Sequence, residues 1–463
     1  MATLIQTLAL TPGAEVDPVY TAQKGIANGA ATLDASTLVV EPVQVVHETS
    51  GPSNLTVGAW PDGEMPIRSG LTIISRAPVY ERTLRTGATT AQIQAVITAL
   101  GAAGGGTLYI GAGTYSITAT LTLDSNVSIL GSGQGITTFV HSGFGGVGSP
   151  VFDFGVVALD NITLGSFTID MDILDRPAID EDGAIHTHIT FQDLGFLDMT
   201  GFSVPAFAIR GTEIRIIDSH FNSIFSGPQS SGVEAIQADI RGCRFHLSDA
   251  PIFLRGATRT RITDNKIVSS INGIGLDSST PSDDVNIDDN EIFISSGIGI
   301  NVEPTGTGKI RIRGNHIFGT GTQGIRSDTP TNKLLIEGNF IDGIAGNGIE
   351  ARRIVNNLIN DNEVTACTSH GIDVSGTVRS KVSDNMITSC GGDGIRLSIF
   401  NAVPSERNLI SGNYLNSNTG FGINEVLTEA DFNSFQNNKF LGNTAGTLSM
   451  NGTDSESSNN STS

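Results

Sequence analysis

Two groups of acidic residues in this chain stand at spacings that suit paired chemistry. The first lies in Ser166-Phe-Thr-Ile-Asp-Met-Asp172. Alternation along a strand turns Phe167, Ile169 and Met171 to one face and Thr168, Asp170 and Asp172 to the other. Carboxyls two residues apart on a strand lie about 6 to 7 Å apart, near the lower end of the range in which an inverting glycosidase seats a water between acid and base. The segment that follows adds Asp175, Asp180, Glu181, Asp182, His186 and His188. Such a loop can frame a general acid and base, or hold Ca²⁺ through carboxylate oxygens. The same residues equally suit a solvated insertion in which Asp terminates turns.

The second group emerges from an internal repeat. Asn-x-(Ile/Val/Leu/Phe) recurs at Asn265, Asn290, Asn315, Asn339, Asn362, Asn385, Asn413 and Asn438, with gaps of 25, 25, 24, 23, 23, 28 and 25 residues. Eleven residues after each of the second to seventh of these stand Asn301, Arg326, Glu350, Asp373, Arg396 and Asn424. Facing outward on successive rungs, Glu350 and Asp373 would be about 5 Å apart, a retaining-glycosidase separation, with Arg326 and Arg396 beyond them to hold substrate. His370 and Asp393, each eight residues after its Asn, would stack beside this column. Crowded carboxylates raise one another's pKa and the arginines oppose the rise. A self-neutralising surface ladder accounts for the same alternation.

Such a period defines the elements that position these residues. A repeat of 20 to 50 residues signals a solenoid, whose units bury their apolar faces only against their neighbours. Two residues after each Asn, and three before it, every position is Ile, Val, Leu or Phe. A Gly-Ile pair begins the next run, as at Gly299-Ile300, Gly348-Ile349 and Gly371-Ile372. Three short β-branched runs separated by Gly, Asn, Asp and Ser leave no room for a helix. A parallel β-helix results, in which stacked Asn side chains satisfy a turn corner. The −3/0/+2 pattern extends back through Cys243, Ser219, Leu194 and Gly165. That makes roughly a dozen coils, roughly 50 to 60 Å long.

Composition narrows the partners. The net charge of −21 argues against nucleic acid and against anionic membrane surfaces. No apolar run reaches transmembrane length, and the first residues lack the basic start of a signal peptide. Cys243, Cys367 and Cys390 make no disulfide framework. Cys367 and Cys390 should stack on adjacent rungs, as a reduced pair in a column of small residues or, alternatively, bonded to each other. With five Tyr in the chain and Trp60 outside the repeats, sugar stacking would depend on Tyr or Phe.

Some stretches carry resemblances. Lys24-Gly-Ile-Ala-Asn-Gly-Ala-Ala-Thr-Leu-Asp34 and Pro61-Asp-Gly-Glu-Met-Pro-Ile-Arg-Ser-Gly70 resemble modules of phage and prophage tail fibres. Thr90-Ala-Gln-Ile-Gln-Ala-Val-Ile-Thr-Ala-Leu100, Gly104-Gly-Gly-Thr-Leu-Tyr-Ile110 and Asn126-Val-Ser-Ile-Leu-Gly-Ser-Gly-Gln-Gly135 resemble the entry to pectate-lyase-like β-helices, tailspikes included. The resemblance implies an all-β, single-stranded right-handed parallel β-helix over 89–445 with an N-terminal capping helix. Before it would come an attachment segment at 1–50 and a small module at 51–88. Residues 446–463, rich in Ser, Asn and Thr, read as a disordered tail.

The same resemblance implies a homotrimeric virion-tail subunit. It would meet host surface glycan, with or without cleaving it, and dock to other tail or baseplate proteins through its N-terminus. It implies no bound cofactor. A secreted or cell-surface lyase, hydrolase or epimerase, and a purely structural virion component, are the alternatives. Ser369-His-Gly371 and Gly391-Gly-Asp-Gly394 are partial echoes of polygalacturonase motifs, and the Tyr-Gly-Phe-Asp-Pro-His signature of mannuronan epimerases is absent.

Overall fold

The computed structural model describes residues 81–463 except 145–148, 172–176, 181–183, 198–204, 209–210, 223–225, 230–236, 247–250, 278–280, 304–307, 329–332, 428–429 and 463, together with the backbone of 66–69 and 72–75. The attachment segment expected at 1–50 and the phrase Lys24–Asp34 lie outside the described residues, as do Asp172, Asp175, Glu181 and Asp182. The chain divides into two compact units, Met1–Glu81 and Arg82–Ser463. In the first, Pro66–Ser69 and Thr72–Ser75 pair as an antiparallel hairpin.

The second unit is a parallel β-helix. One strand of each coil enters a fourteen-stranded parallel sheet that runs from Leu121–Thr122 to Gly446–Ser449. The other two strands of each coil flank the Asn corner and form two further ladders. Before the corner, Ile262, Ile287, Ile312, Ile336, Ile359, Val382, Ile410 and Phe435 are successive register partners. After it, Ile267, Ile292, Ile317, Ile341, Val364, Ile387, Leu415 and Phe440 are. All of these side chains are buried. The columns expected from spacing are thus the core.

The corner is a continuous amide ladder. The Nδ2 of Asn265 donates to Oδ1 of Asn290 at 2.9 Å, and the same bond repeats through Asn315, Asn339, Asn362 and Asn385 at 2.9 Å. Each Oδ1 also accepts the backbone N–H of the preceding ladder residue, as from Asn315 to Asn339 at 3.0 Å. Before each Asn the backbone is left-handed, with φ of 55° at Asp264, 56° at Asp289 and 62° at Gly314. Only Asp, Gly or Asn fills that position from Asp264 to Asn437, because these residue types tolerate it best.

Helix α1 (Thr90–Ala102) covers the first coil. Thr89 and Gln92 form a reciprocal cap, the Thr89 N–H donating to Gln92 Oε1 at 2.8 Å. Its inward face is Ile93, Ile97 and Leu100, all buried, and it packs on Gly106–Ile110 and Leu121–Thr122. No helix among the described residues is long and apolar enough to cross a membrane.

At the other end the expectation of a disordered tail is corrected. Residues 446–462 continue the solenoid, with strands at Gly446–Ser449 and Glu456–Ser458. Asn438 donates to Asn460 Oδ1 at 3.1 Å, so the amide ladder carries on through this segment. Asn460 extends the ladder and the Ser455 hydroxyl donates to Glu425 Oε1 at 2.7 Å, while Ser457, Ser458 and Asn459 are exposed.

Candidate active site

The acid column stands on the fourteen-stranded sheet. On seven of its strands, from Gly273-Ile274 to Gly422-Ile423, the Gly of a Gly-Ile pair lies against the next coil. A Cβ on Gly371 would fall 2.3 Å from Ile387 Cγ2 and 2.7 Å from the Gly394 carbonyl oxygen, so these positions exclude side chains. From there alternation decides the faces: Ile349 and Ala351 turn inward, Glu350 outward. Asn301, Arg326, Glu350, Asp373, Arg396 and Asn424 are consecutive register partners, as the spacing predicts.

Though outward, the two central carboxylates are covered: Glu350 is 2% exposed and Asp373 4%. Glu350 Oε2 accepts from Asn347 Nδ2 at 2.7 Å and pairs with Arg352 Nη2 at 2.9 Å. Its Oε1 faces Arg326 Nε at 3.6 Å and has no hydrogen-bond partner. Burial pushes its carboxyl above the ordinary range; Arg352, the Asn347 amide and Arg326 pull it down, while Asp373 adds to the rise. Asp373 Oδ1 accepts the Ser375 hydroxyl, and Ser375 Oγ lies 2.7 Å from Ser398 Oγ.

Two flanks complete the arrangement. On one, Arg326 is bound by Asp328 and lies 3.9 Å from Glu303 Oε1. Arg352 spreads over the Phe400 ring, 4.6 Å from its centroid, and Arg353 approaches the same ring at 5.5 Å. Asn301 Oδ1, Asp328 Oδ1 and the Nε atoms of Arg352 and Arg353 join Glu350 Oε1 as buried polar atoms lacking a hydrogen bond. On the other flank, His370 Nδ1 faces the Asp393 N–H at 2.9 Å, and its Nε2 faces Arg396 Nη1 at 3.1 Å. Burial and the Arg396 charge hold this imidazole below its ordinary pKa, hence neutral near pH 7. Asp393 is fixed by the Phe421 N–H at 2.8 Å and Asn424 Nδ2 at 3.0 Å. Glu350, Asp373, His370, Asp393, Arg326 and Arg396 are therefore brought together.

The first acidic group is placed elsewhere. Asp170, half-buried, ends the long strand Asp160–Asp170, beside Leu197 and Val140. Thr168 points outward but is covered by the turn before it, its Oγ1 accepting the Gly135 N–H at 2.9 Å. His186 lies inside the solenoid. Its Nδ1 accepts the Leu159 N–H at 3.1 Å, its ring is 5.0 Å from Phe154, and burial lowers its pKa to about 4. It is a core histidine, apart from the Glu350 column.

Arg352, Asp328, Ser375 and Asn347 escaped the sequence reading. Three of them belong to a second outward column, thirteen residues after the corner Asn: Glu303, Asp328, Arg352, Ser375 and Ser398. Extending the alignment by two positions finds them, because residues i and i+2 on a strand share a face.

The architecture places the chain among parallel β-helix proteins with a polar column on the outer face. The sequence model of the family described as periplasmic copper-binding protein (NosD) matches residues 236–425 and 330–463. Copper favours His, Cys and Met donors. Yet among the described residues no three His, Cys, Asp or Glu are grouped to hold a metal ion, and Cys367 and Cys390 are buried free thiols. The described residues do not fit a copper centre.

No match was found among curated proteins. Solved structures with a similar fold include the A-module of a mannuronan C-5 epimerase of Azotobacter vinelandii, with 16% identity over 80% of this chain and 94% of that one, at a TM-score of 0.40. DFA-IIIase from Arthrobacter chlorophenolicus A6 shares 11% identity over 72% and 93%, at 0.49. The Dettilon tailspike protein shares 14% over 81% and 68%, at 0.43. Likenesses this distant carry no argument about chemistry.

Proposed function

We propose that this chain is a polysaccharide-acting β-helix whose reacting groups are Glu350 and Asp373. The observation that carries this reading is their pairing: two outward carboxylates on adjacent strands in direct register, both nearly fully covered. Adjacent parallel strands lie about 4.8 Å apart, which suits the ~5 to 5.5 Å carboxyl separation of a retaining glycosidase. Glu350, held towards its protonated form by burial, is the general acid for the leaving oxygen. Asp373, fixed by the Ser375 hydroxyl, is the nucleophile on the anomeric carbon. Arg326, Arg352 and Arg396 position sugar hydroxyls or carboxylates, and His370 with Asp393 orients Arg396. Charged groups in this number also make a self-neutralising ladder, so activity is the arbiter.

The setting we favour is a phage or prophage tailspike or tail fibre that meets host surface glycan, homotrimeric and docked through its N-terminus. It is supported by the tail-fibre-like phrases at 24–34 and 61–70. The test is a degradation assay on purified capsular and lipopolysaccharide preparations, following reducing ends together with absorbance near 235 nm. New reducing ends without absorbance, abolished in Glu350→Gln and Asp373→Asn, are expected. New absorbance would mean β-elimination and another mechanism. Silence across the panel would leave the column as surface chemistry in a binding or structural fibre.

A further inference from the structure

Outward positions on a strand that faces water ordinarily carry polar residues. After the Asn corner three successive coils break that habit. In the strands Glu291–Ile294, His316–Gly319 and Phe340–Asp342, the inward positions are Ile292, Ile317 and Ile341, all fully buried. Their outward neighbours are Phe293, His316, Phe318 and Phe340. Register makes His316 the partner of Phe340, and Phe293 the partner of Phe318, in two columns two residues apart. The four rings form one patch, with centroids 5.2 Å apart for Phe293–Phe318, 4.7 Å for His316–Phe318 and 4.9 Å for His316–Phe340. His316 is exposed and the phenylalanines are half-buried. Around the rings the column partners are carboxylates: Glu291 beside His316, Asp342 beside Phe318 and Glu363 beside Phe340. The nearby Lys266 is already paired to Glu291 at 2.8 Å.

We infer that this patch is a platform for a neutral glycan chain, separate from the Glu350 column. Two properties choose that occupant. Its size is wrong for a second copy: aromatic side chains present about 150–250 Å² in all. Four rings, three of them half-buried, therefore offer roughly 300 to 400 Å², well below the ~800 Å² per partner of a stable protein interface. Its chemistry is right for sugar. The negative ring faces attract the C–H-lined face of a pyranose, and rim carboxylates accept hydroxyl hydrogen bonds. A polyanion would meet three carboxylates and an overall charge of −21. The platform lies on the coils that continue into Asn301, Arg326 and Glu350, so it would hold a polymer on the same stretch of shaft as the acids.

The inference does not depend on Glu350 chemistry, and its test keeps the two apart. Calorimetric titration of the full chain with maltohexaose, cellohexaose, laminarihexaose and dextran should give binding to at least one. Phe318→Ala and Phe293→Ala should each weaken it tenfold or more, whereas Phe318→Trp should keep or strengthen it. Lys381→Ala, at an exposed position on a later coil, should leave it unchanged. Absence of binding to all four probes, or full affinity in both alanine variants, overturns the platform. So does an oligomer in sedimentation that Phe318→Ala converts to monomer, since the patch would then be a contact between copies.

Discussion

At the scale of single residues, the column at eleven after Asn was legible because register in a solenoid is set by the ladder: equal offsets from the corner land side by side. What spacing could not give was cover. Arg352 and Phe400 shield Glu350, and that depends on how the turn holding Phe400 folds back rather than on any period. Phe400→Ala should free Arg352 and raise turnover on short oligosaccharides at least severalfold if the cover limits access, measured by reducing-end release. The pH dependence follows from Glu350. Its folded pKa lies above the ordinary 4.5, so a protonated-acid role predicts activity lost as pH rises through the raised value, and a rate profile should show that limb. Linkage runs the same way: its stabilising contribution is complete below 4.5 and fades as pH climbs past the folded pKa. His186 behaves oppositely. Its folded pKa of about 4 lies below the ordinary 6.5, so stability should fall as pH drops from 6.5 towards 4. Urea titrations across that window should show a shallower slope for His186→Gln.

Elements show where pattern reading succeeds and where it stops. The Ile columns and the Asn corner were visible because a buried position repeated on eight coils leaves little freedom of residue type. The last coil was not visible: three before and two after Asn460 stand Ser457 and Thr462, with no apolar signal, and a Ser/Asn-rich segment looks like disorder. A second amide corner was missed for a related reason. It is mixed, running Asn357, Ser380, Asn408 and Asn433, with Asn408 Nδ2 donating to Asn433 Oδ1 at 3.0 Å. The ladder makes a sharp prediction. Asn339 Oδ1 accepts from Asn315 N–H and Nδ2, and its own Nδ2 donates to the Ile312 carbonyl at 3.0 Å. Asn339→Ala strands these buried groups, each worth about 1–3 kcal/mol. A total loss of about 3 to 5 kcal/mol is expected in urea denaturation, against a near-neutral Asn416→Ala outside the corner.

For the whole molecule, cohesion runs only between neighbouring coils, so stability approximates a sum of coil and interface terms. Asn339→Ala should therefore broaden unfolding or split it into two steps, which calorimetry can resolve. The proposed homotrimer is tested by sedimentation equilibrium of the full chain, where a monomer would remove the tail-fibre setting while leaving the acid pair to be judged by assay. One last property follows from the corner. Every Asn-to-Asn side-chain bond in it passes from one coil to the next in the same sense, and every gap between Asn residues closes one circuit. Cutting the gene from one Asn codon to another, or copying that interval, should therefore return a chain whose hydrogen bonds all still match. Length becomes a quantity that recombination can change in single rungs, while Phe340 and Glu350, anchored to the same circuit, keep their mutual distance as the shaft lengthens or shortens around them.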